Sequence, residues 1–208
     1  MTLQELSRSL HDCSRCKLAR LGRSQVVFGV GNPRASIMFV GEAPGFHEDR
    51  QGEPFVGAAG KFLNDLLQSA GLSRSEIYIA NVIKCRPPNN RDPEPDEVES
   101  CKPFLLQQIE MIQPKVVCTL GKWATQTILE KPVSITKVRG HAIHLERFVV
   151  FPLLHPAAAL HQGQWRGMLE EDFLKLKAYL DQLSAPAPVE STASDHPAER
   201  SLVQMNLF

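Results

Sequence analysis

The apolar and polar positions of this chain fall into alternating blocks. Residues 36–40 (SIMFV), 76–83 (EIYIANVI), 115–120 (KVVCTL) and 149–154 (VVFPLL) are short, nearly unbroken apolar runs rich in β-branched side chains. Strands buried on both faces of a sheet read this way, because neither face accepts a polar residue. Between the runs, apolar positions recur at three- and four-residue intervals. Residues 57–70 place Phe62, Leu63, Leu66 and Leu67 on one helical face, and Gly71 supplies a C-terminal cap. The same spacing predicts helices over 97–112, 122–129 and 165–183. A further short helix over residues 2–10 has Thr2 and Glu5 at capping-box spacing. Residues 84–95 (KCRPPNNRDPEP) hold too many prolines for regular structure. Strands that alternate with helices build a parallel sheet with helices on both faces, so the expected class is α/β.

The run 36–40 breaks at Gly41 into GEAPGFHEDRQGEPF, residues 41–55. A strand that feeds a glycine-rich loop and then a helix is where open α/β sheets place ligands. Gly41 and Gly45 allow a sharp turn with backbone N–H groups turned towards a ligand. Glu42 follows the first strand, Asn81 ends the second and His155 follows the fourth. All three then lie at carboxyl ends of parallel strands and converge on one rim. Singly, each has an ordinary structural reading; together they mark a binding site.

Composition narrows the setting. The 208 residues are 43% hydrophobic, ordinary for a globular chain, with one domain expected over 1–183. No run approaches the ~18 apolar residues of a membrane span, and no signal-peptide core is visible, so a cytoplasmic chain is expected; a monomer is the expected state. Formal net charge is zero, but residues 184–208 carry three acids and one base, which leaves a net +2 on the body. A small positive balance is compatible with a nucleic-acid partner without requiring one. Five cysteines in a cytosolic chain point to metal or catalysis rather than disulfides. Cys118 sits inside an apolar run and reads as a small buried hydrophobe. Cys13, Cys16, Cys85 and Cys101 stand at irregular or helix-end positions, a wide spacing that leaves zinc, an iron–sulfur cluster and free thiols open.

GEAPGFHED with a following Pro54-Phe55, Asn81 within YIANVIKCRPP, and His155-Pro-Ala-Ala resemble the family 4 (thermostable-type) uracil-DNA glycosylases over residues 1–183. The resemblance implies a three-layer α/β/α sandwich around a four-stranded parallel sheet. It implies a 4Fe–4S cluster on Cys13, Cys16, Cys85 and Cys101. It also implies removal of uracil from DNA by hydrolysis of its N-glycosidic bond, the first step of base excision repair. On that reading Asn81 recognises the base, Phe55 stacks on it, the backbone N–H groups around Gly41, Glu42 and Ala43 face its oxygens, and His155 stabilises the leaving anion. The related GQDPYH motif of family 1 has an aspartate where this chain has Ala43, so Glu42, with Glu48 second, is the candidate to activate water. Family 1 also has a tyrosine at Gly45 that excludes thymine, and Glu48 is the substitute suggested here. Two other readings compete: a glycosylase for other deaminated bases such as hypoxanthine, and a non-catalytic nucleic-acid module with a structural zinc.

Phosphate contacts are expected from Lys84, Arg86 and Arg91 around the proline-rich loop and from Lys137 and Arg139, with Leu160 as an apolar wedge into the duplex. Residues 184–203 read as a disordered linker. The chain then ends in QMNLF, an apolar terminus with no reason to follow a polar linker unless it docks on a partner. It resembles the motif by which bacterial repair proteins bind the polymerase sliding clamp. Gln204 would sit at the pocket's edge, Leu207 and Phe208 inside it, and Met205 where leucine is usual.

Overall fold

A computed structural model describes residues 1–184 of the chain. Most of the linker and the whole clamp-like peptide, with Gln204, Met205, Leu207 and Phe208, lie outside the described residues. The elements are α1 (Leu3–Ser9), β1 (Val30–Gly31), β2 (Ile37–Gly41), α2 (Phe46–Gln51), α3 (Ala58–Ser69), β3 (Tyr78–Asn81), α4 (Pro95–Ile112), β4 (Val116–Leu120), α5 (Lys122–Leu129), α6 (Ile135–Val138), β5 (Ile143–His144), β6 (Val149–Leu153), α7 (Pro156–His161) and α8 (Gly163–Ser184). No helix among the described residues is long and apolar enough to cross a membrane.

The four apolar runs form the parallel centre of the sheet, in the order β3-β2-β4-β6. Because both faces are covered, alternate residues of one strand enter different cores. Phe39 packs with Cys118, Phe151, α3 and α8 on one side; Met38 and Val40 pack with Tyr78, α4 and α5 on the other. This is a three-layer α/β/α arrangement, and Cys118 is fully buried in it.

The sheet has six strands rather than four, and it is mixed. Two-residue strands β1 and β5 pair antiparallel to β3 and β6 at its two edges. Two residues carry no hydrophobic period, so the sequence pattern could not reveal them. They blunt edges that would otherwise present unpaired backbone groups. The loop after β2 also departs from expectation, because it contains α2. That helix is too short and polar to show a period; only Asp49 of its six residues is buried. Helix α4 starts two residues early, with Pro95 at its first turn and a reciprocal Glu94–Glu97 cap. The rest of the proline-rich stretch is irregular, apart from one 3₁₀ turn at Pro88–Asn90. Helix α3 ends as expected: Gly71 takes φ +71°, Gly71 N–H donates to Gln68 O and Leu72 N–H donates to Leu67 O, which is a Schellman cap.

Candidate active site

Strands β2 and β3 end side by side, with Gly41 and Asn81 in register, and β6 runs through Leu154 into His155. Their carboxyl ends open on a cavity of about 410 Å³ lined by Glu42, Ala43, Glu48, Phe55, Asn81 and His155 among others. The six predicted site residues thus face one space, within the size range of small-molecule pockets. Gly41 lies behind it. A Cβ there would meet the Asn81 carboxamide oxygen and stand 2.7 Å from the Phe55 ring. Glycine is required so that ring and amide sit together.

Asn81 is 2% exposed, and its Oδ1 has no hydrogen-bond partner among the described residues. A buried acceptor left unpaired costs about 1–3 kcal/mol, so an N–H offered to this atom would be favourable. His155 caps α7, and its Nδ1 accepts from Ala157 N–H at 3.1 Å. Burial lowers the ring's pKa to about 4, opposed by the Glu48 carboxylate, so the imidazole is neutral at pH 7. With Nδ1 committed as acceptor, the single proton sits on Nε2, which is a donor. The His155 and Phe55 ring centroids are 5.6 Å apart.

Phe55 has φ +56°, in the left-handed region that an aromatic residue seldom enters. Three groups hold it there. The Arg74 guanidinium donates to Phe55 O at 2.9 Å, to Pro54 O, and to Asn64 Oδ1 at 3.1 Å. Gly60 lets α3 lie against the Phe55 carbonyl, where any Cβ would clash. Glu48 Oε1 accepts from Val56 N–H at 3.0 Å and Gly57 N–H at 2.9 Å, at the N-terminus of α3. Glu48 is therefore engaged as a positioning group. Nothing in the sequence marks Arg74: it acts across α3, nineteen residues from Phe55. Glu42 is different. Burial, then the nearby Asp92 charge, raises its pKa to about 7, with Lys122 opposing. A carboxyl poised near neutrality serves as a proton acceptor.

Cys13, Cys16, Cys85 and Cys101 line one small apolar pocket between α1, α4 and the loop after β3. Arg23 Nη1 donates to Cys85 Sγ at 3.0 Å, and Lys84 N–H donates to Cys101 Sγ at 3.3 Å. Burial pushes the Cys85 thiol up and the Cys101 thiol to about 11. Among the described residues, no three His, Cys, Asp or Glu converge on one point as the ligands of a single metal ion would. Lys84 does not reach solvent as a phosphate contact would. It is 2% exposed, and its ammonium donates to Asn81 O at 2.9 Å and Gln108 Oε1 at 2.5 Å. The same residue touches the cysteine pocket through its backbone and Asn81 through its side chain.

The remaining expected DNA contacts divide. Arg86 is half-exposed beside the cavity. Arg91 lines the cavity, but its guanidinium is paired with Glu97 at 2.7 and 2.9 Å. Arg139 is 15% exposed and bound to Asp172 at 2.9 Å, a structural role in place of a free cation. Lys137 is exposed on α6, away from the cavity lining. Leu160 is 47% exposed on α7, whose Ala157 and Ala158 line the cavity.

The family model described as the uracil DNA glycosylase superfamily matches residues 28–181. A type-4 uracil-DNA glycosylase of Sulfurisphaera tokodaii is 48% identical over 185 residues, covering 85% of this chain and 84% of its own. One from Archaeoglobus fulgidus is 46% identical over 183 residues, 84% of this chain and 92% of its own. A type-5 uracil-DNA glycosylase of Thermus thermophilus is 34% identical over 116 residues, 49% of this chain and 52% of its own.

The Phe55 clamp makes a prediction independent of any ligand. Arg74→Ala removes a charged donor from three acceptors and should cost roughly 1.5–3 kcal/mol in urea unfolding. Arg74→Lys, which lacks the fork, should recover less than half of that. A loss below about 0.5 kcal/mol for the alanine variant would show that the clamp is not what holds the turn.

Proposed function

We propose that this chain, which belongs to the uracil DNA glycosylase superfamily, is a uracil-DNA glycosylase: it takes a flipped-out deoxyuridine and hydrolyses the bond between uracil N1 and the sugar C1′. The observation that carries this is the unpaired buried Asn81 Oδ1 beside a neutral His155 with its proton on Nε2. Uracil presents N3–H between two carbonyls. Asn81 Oδ1 accepts from N3–H while its amide donates to O4, and His155 Nε2–H donates to O2. Cytosine offers an acceptor at N3 and a donor at C4, so both contacts become repulsive.

Flipping the base out of the stack costs a few kcal/mol. Stacking on Phe55 returns about 1–3 kcal/mol of it. As the N1–C1′ bond breaks, its electron pair moves onto the uracil ring and O2 becomes anionic. A neutral donor already in place there acts as an oxyanion hole, worth about 3–4 kcal/mol in enzymes where such a donor has been removed. Water adds to C1′ and gives its proton to Glu42. Glu48 has a second role on this reading. Its Oε2 would be 2.8 Å from a Cβ on Gly45, so it fills the space beside that glycine where thymine's methyl would otherwise fit.

The four pocket cysteines suit a 4Fe–4S cluster. The donor set is all sulfur, and two sulfurs already receive N–H donors of the kind that stabilise cluster thiolates. Bound there, a cluster would cross-link the N-terminal segment to α4 and to the loop after Asn81. The sliding clamp is a proposed partner on the strength of residues 204–208 alone, and titrating that peptide with purified clamp decides it.

Two measurements test this reading. Single-turnover release of uracil from a uracil-containing oligonucleotide should rise about tenfold per pH unit up to pH ~7 and then level off, because only ionised Glu42 takes the proton. His155, neutral above pH ~5, adds no second inflection at neutral pH. Glu42→Gln should lower the plateau at least tenfold and remove the inflection; an unaltered profile would exclude Glu42 as the base. For the cluster, the purified chain should carry iron, sulfide and broad visible absorption, and Cys85→Ala should lose the absorption and urea resistance together. A colourless, fully stable wild-type protein overturns it.

A further inference from the structure

The rim of the cavity carries a surface that uracil recognition does not use. Helix α2 turns both of its acids inward: Glu48 is held at the start of α3, and both Asp49 oxygens accept from Ser24 N–H at 2.9 Å. Its outer face presents Phe46, His47 and Arg50, all exposed. Phe46 is 50% exposed, the only aromatic among the large hydrophobic residues found exposed in the described part of the chain. Two guanidiniums lie against its ring, Arg86 at 5.1 Å and Arg50 at 5.9 Å from the centroid.

Neither arginine forms an ion pair with a carboxylate among the described residues; Arg86 donates its Nε to Asn90 Oδ1 at 2.7 Å. This separates them from Arg91 and Arg139, whose charge is neutralised by Glu97 and Asp172. The platform also borders the cavity on two sides. Glu48 of α2 and Gly45 just before it line one side, and Pro87 and Asn90 line it next to Arg86.

We propose that Phe46, Arg50 and Arg86 form the contact for the DNA strand beside the flipped nucleotide, the ring stacking on an adjacent unpaired base and the two guanidiniums binding the flanking phosphates. This rests on the uracil-DNA glycosylase reading. An exposed ring flanked by unneutralised cations is the arrangement that binds single-stranded nucleic acid, where a π-face is needed for each base and a positive charge for each phosphate. Pinning the strand at the cavity's edge keeps the extruded nucleotide in line with Phe55 and Asn81.

The test uses the full chain and an oligonucleotide carrying 2′-fluorodeoxyuridine, which resists cleavage, with Kd read by fluorescence anisotropy across a salt series. Phe46→Ala should weaken binding about fivefold to a hundredfold and leave the salt slope unchanged. Arg50→Gln with Arg86→Gln should weaken it and reduce the slope of log Kd against log salt by about 1.4–1.8, for two phosphates. Free uracil, too small to reach the platform, should inhibit wild type and variants with the same inhibition constant. Thermal midpoints close to wild type would show that these surface variants are folded. DNA binding by both variants at wild-type strength and slope overturns the proposal. If the wild type releases no uracil from an ordinary substrate, the functional reading fails, while the anisotropy series still decides whether this surface holds DNA.

Discussion

A carboxamide oxygen buried at the end of a strand, with no hydrogen-bond partner among the described residues, is the constraint from which the rest of this site follows. Asn81 Oδ1 cannot be left dry without cost, and a backbone donor there would erase its use. The fold holds it in place from three directions. The parallel register sets Asn81 beside Gly41, the absence of a Cβ on Gly41 lets the Phe55 ring close in, and the Lys84 ammonium fixes the Asn81 carbonyl from below. The same lysine touches Cys101 through its backbone, so the cysteine pocket and Asn81 share one support.

Environment then assigns the other groups. Glu42 and Glu48 belong to one loop-and-helix segment, yet their surroundings differ: burial poises Glu42 near neutrality, while the Glu48 carboxylate accepts from backbone N–H groups at the N-terminus of α3. His155 is kept neutral by burial and given a fixed tautomer by a single backbone N–H. Phe55 pays for its place in the cavity with an unfavourable backbone conformation, which Arg74 and Gly60 sustain. Such strain persists only where the surroundings over-determine it.

Much of this is legible in the sequence because parallel strands obey a topological rule. Once four apolar runs are read as parallel strands, Glu42, Asn81 and His155 must share one edge. The resemblance to family 4 glycosylases added what spacing could not, namely a common role for four scattered cysteines. Besides helix α2, three things stayed hidden. The edge strands at Val30–Gly31 and Ile143–His144 are too short to have a period. The Arg74 clamp is a contact between a polar loop and two backbone carbonyls, and carbonyls have no sequence signature. A list of arginines also cannot say which are already neutralised. Arg139 and Arg91 are, Arg50 and Arg86 are not by any carboxylate among the described residues, and only the packing of α8 and α4 reveals the difference.

The central claim is that the Asn81 carboxamide reads uracil through one acceptor and one donor. Single-turnover release of uracil by Asn81→Asp, on matched oligonucleotides with uracil or cytosine at one position, tests it most directly. An ionised carboxylate keeps the acceptor for N3–H but replaces the donor to O4 with a negative charge. The account predicts a loss of uracil release of at least about a hundredfold at pH 8, since an unmatched buried polar group in a reading site is heavily penalised. It also predicts that the deficit, measured against wild type at the same pH, narrows on acidification, as protonation of the introduced carboxyl restores a donor. Uracil release at the wild-type rate at pH 8 would contradict it.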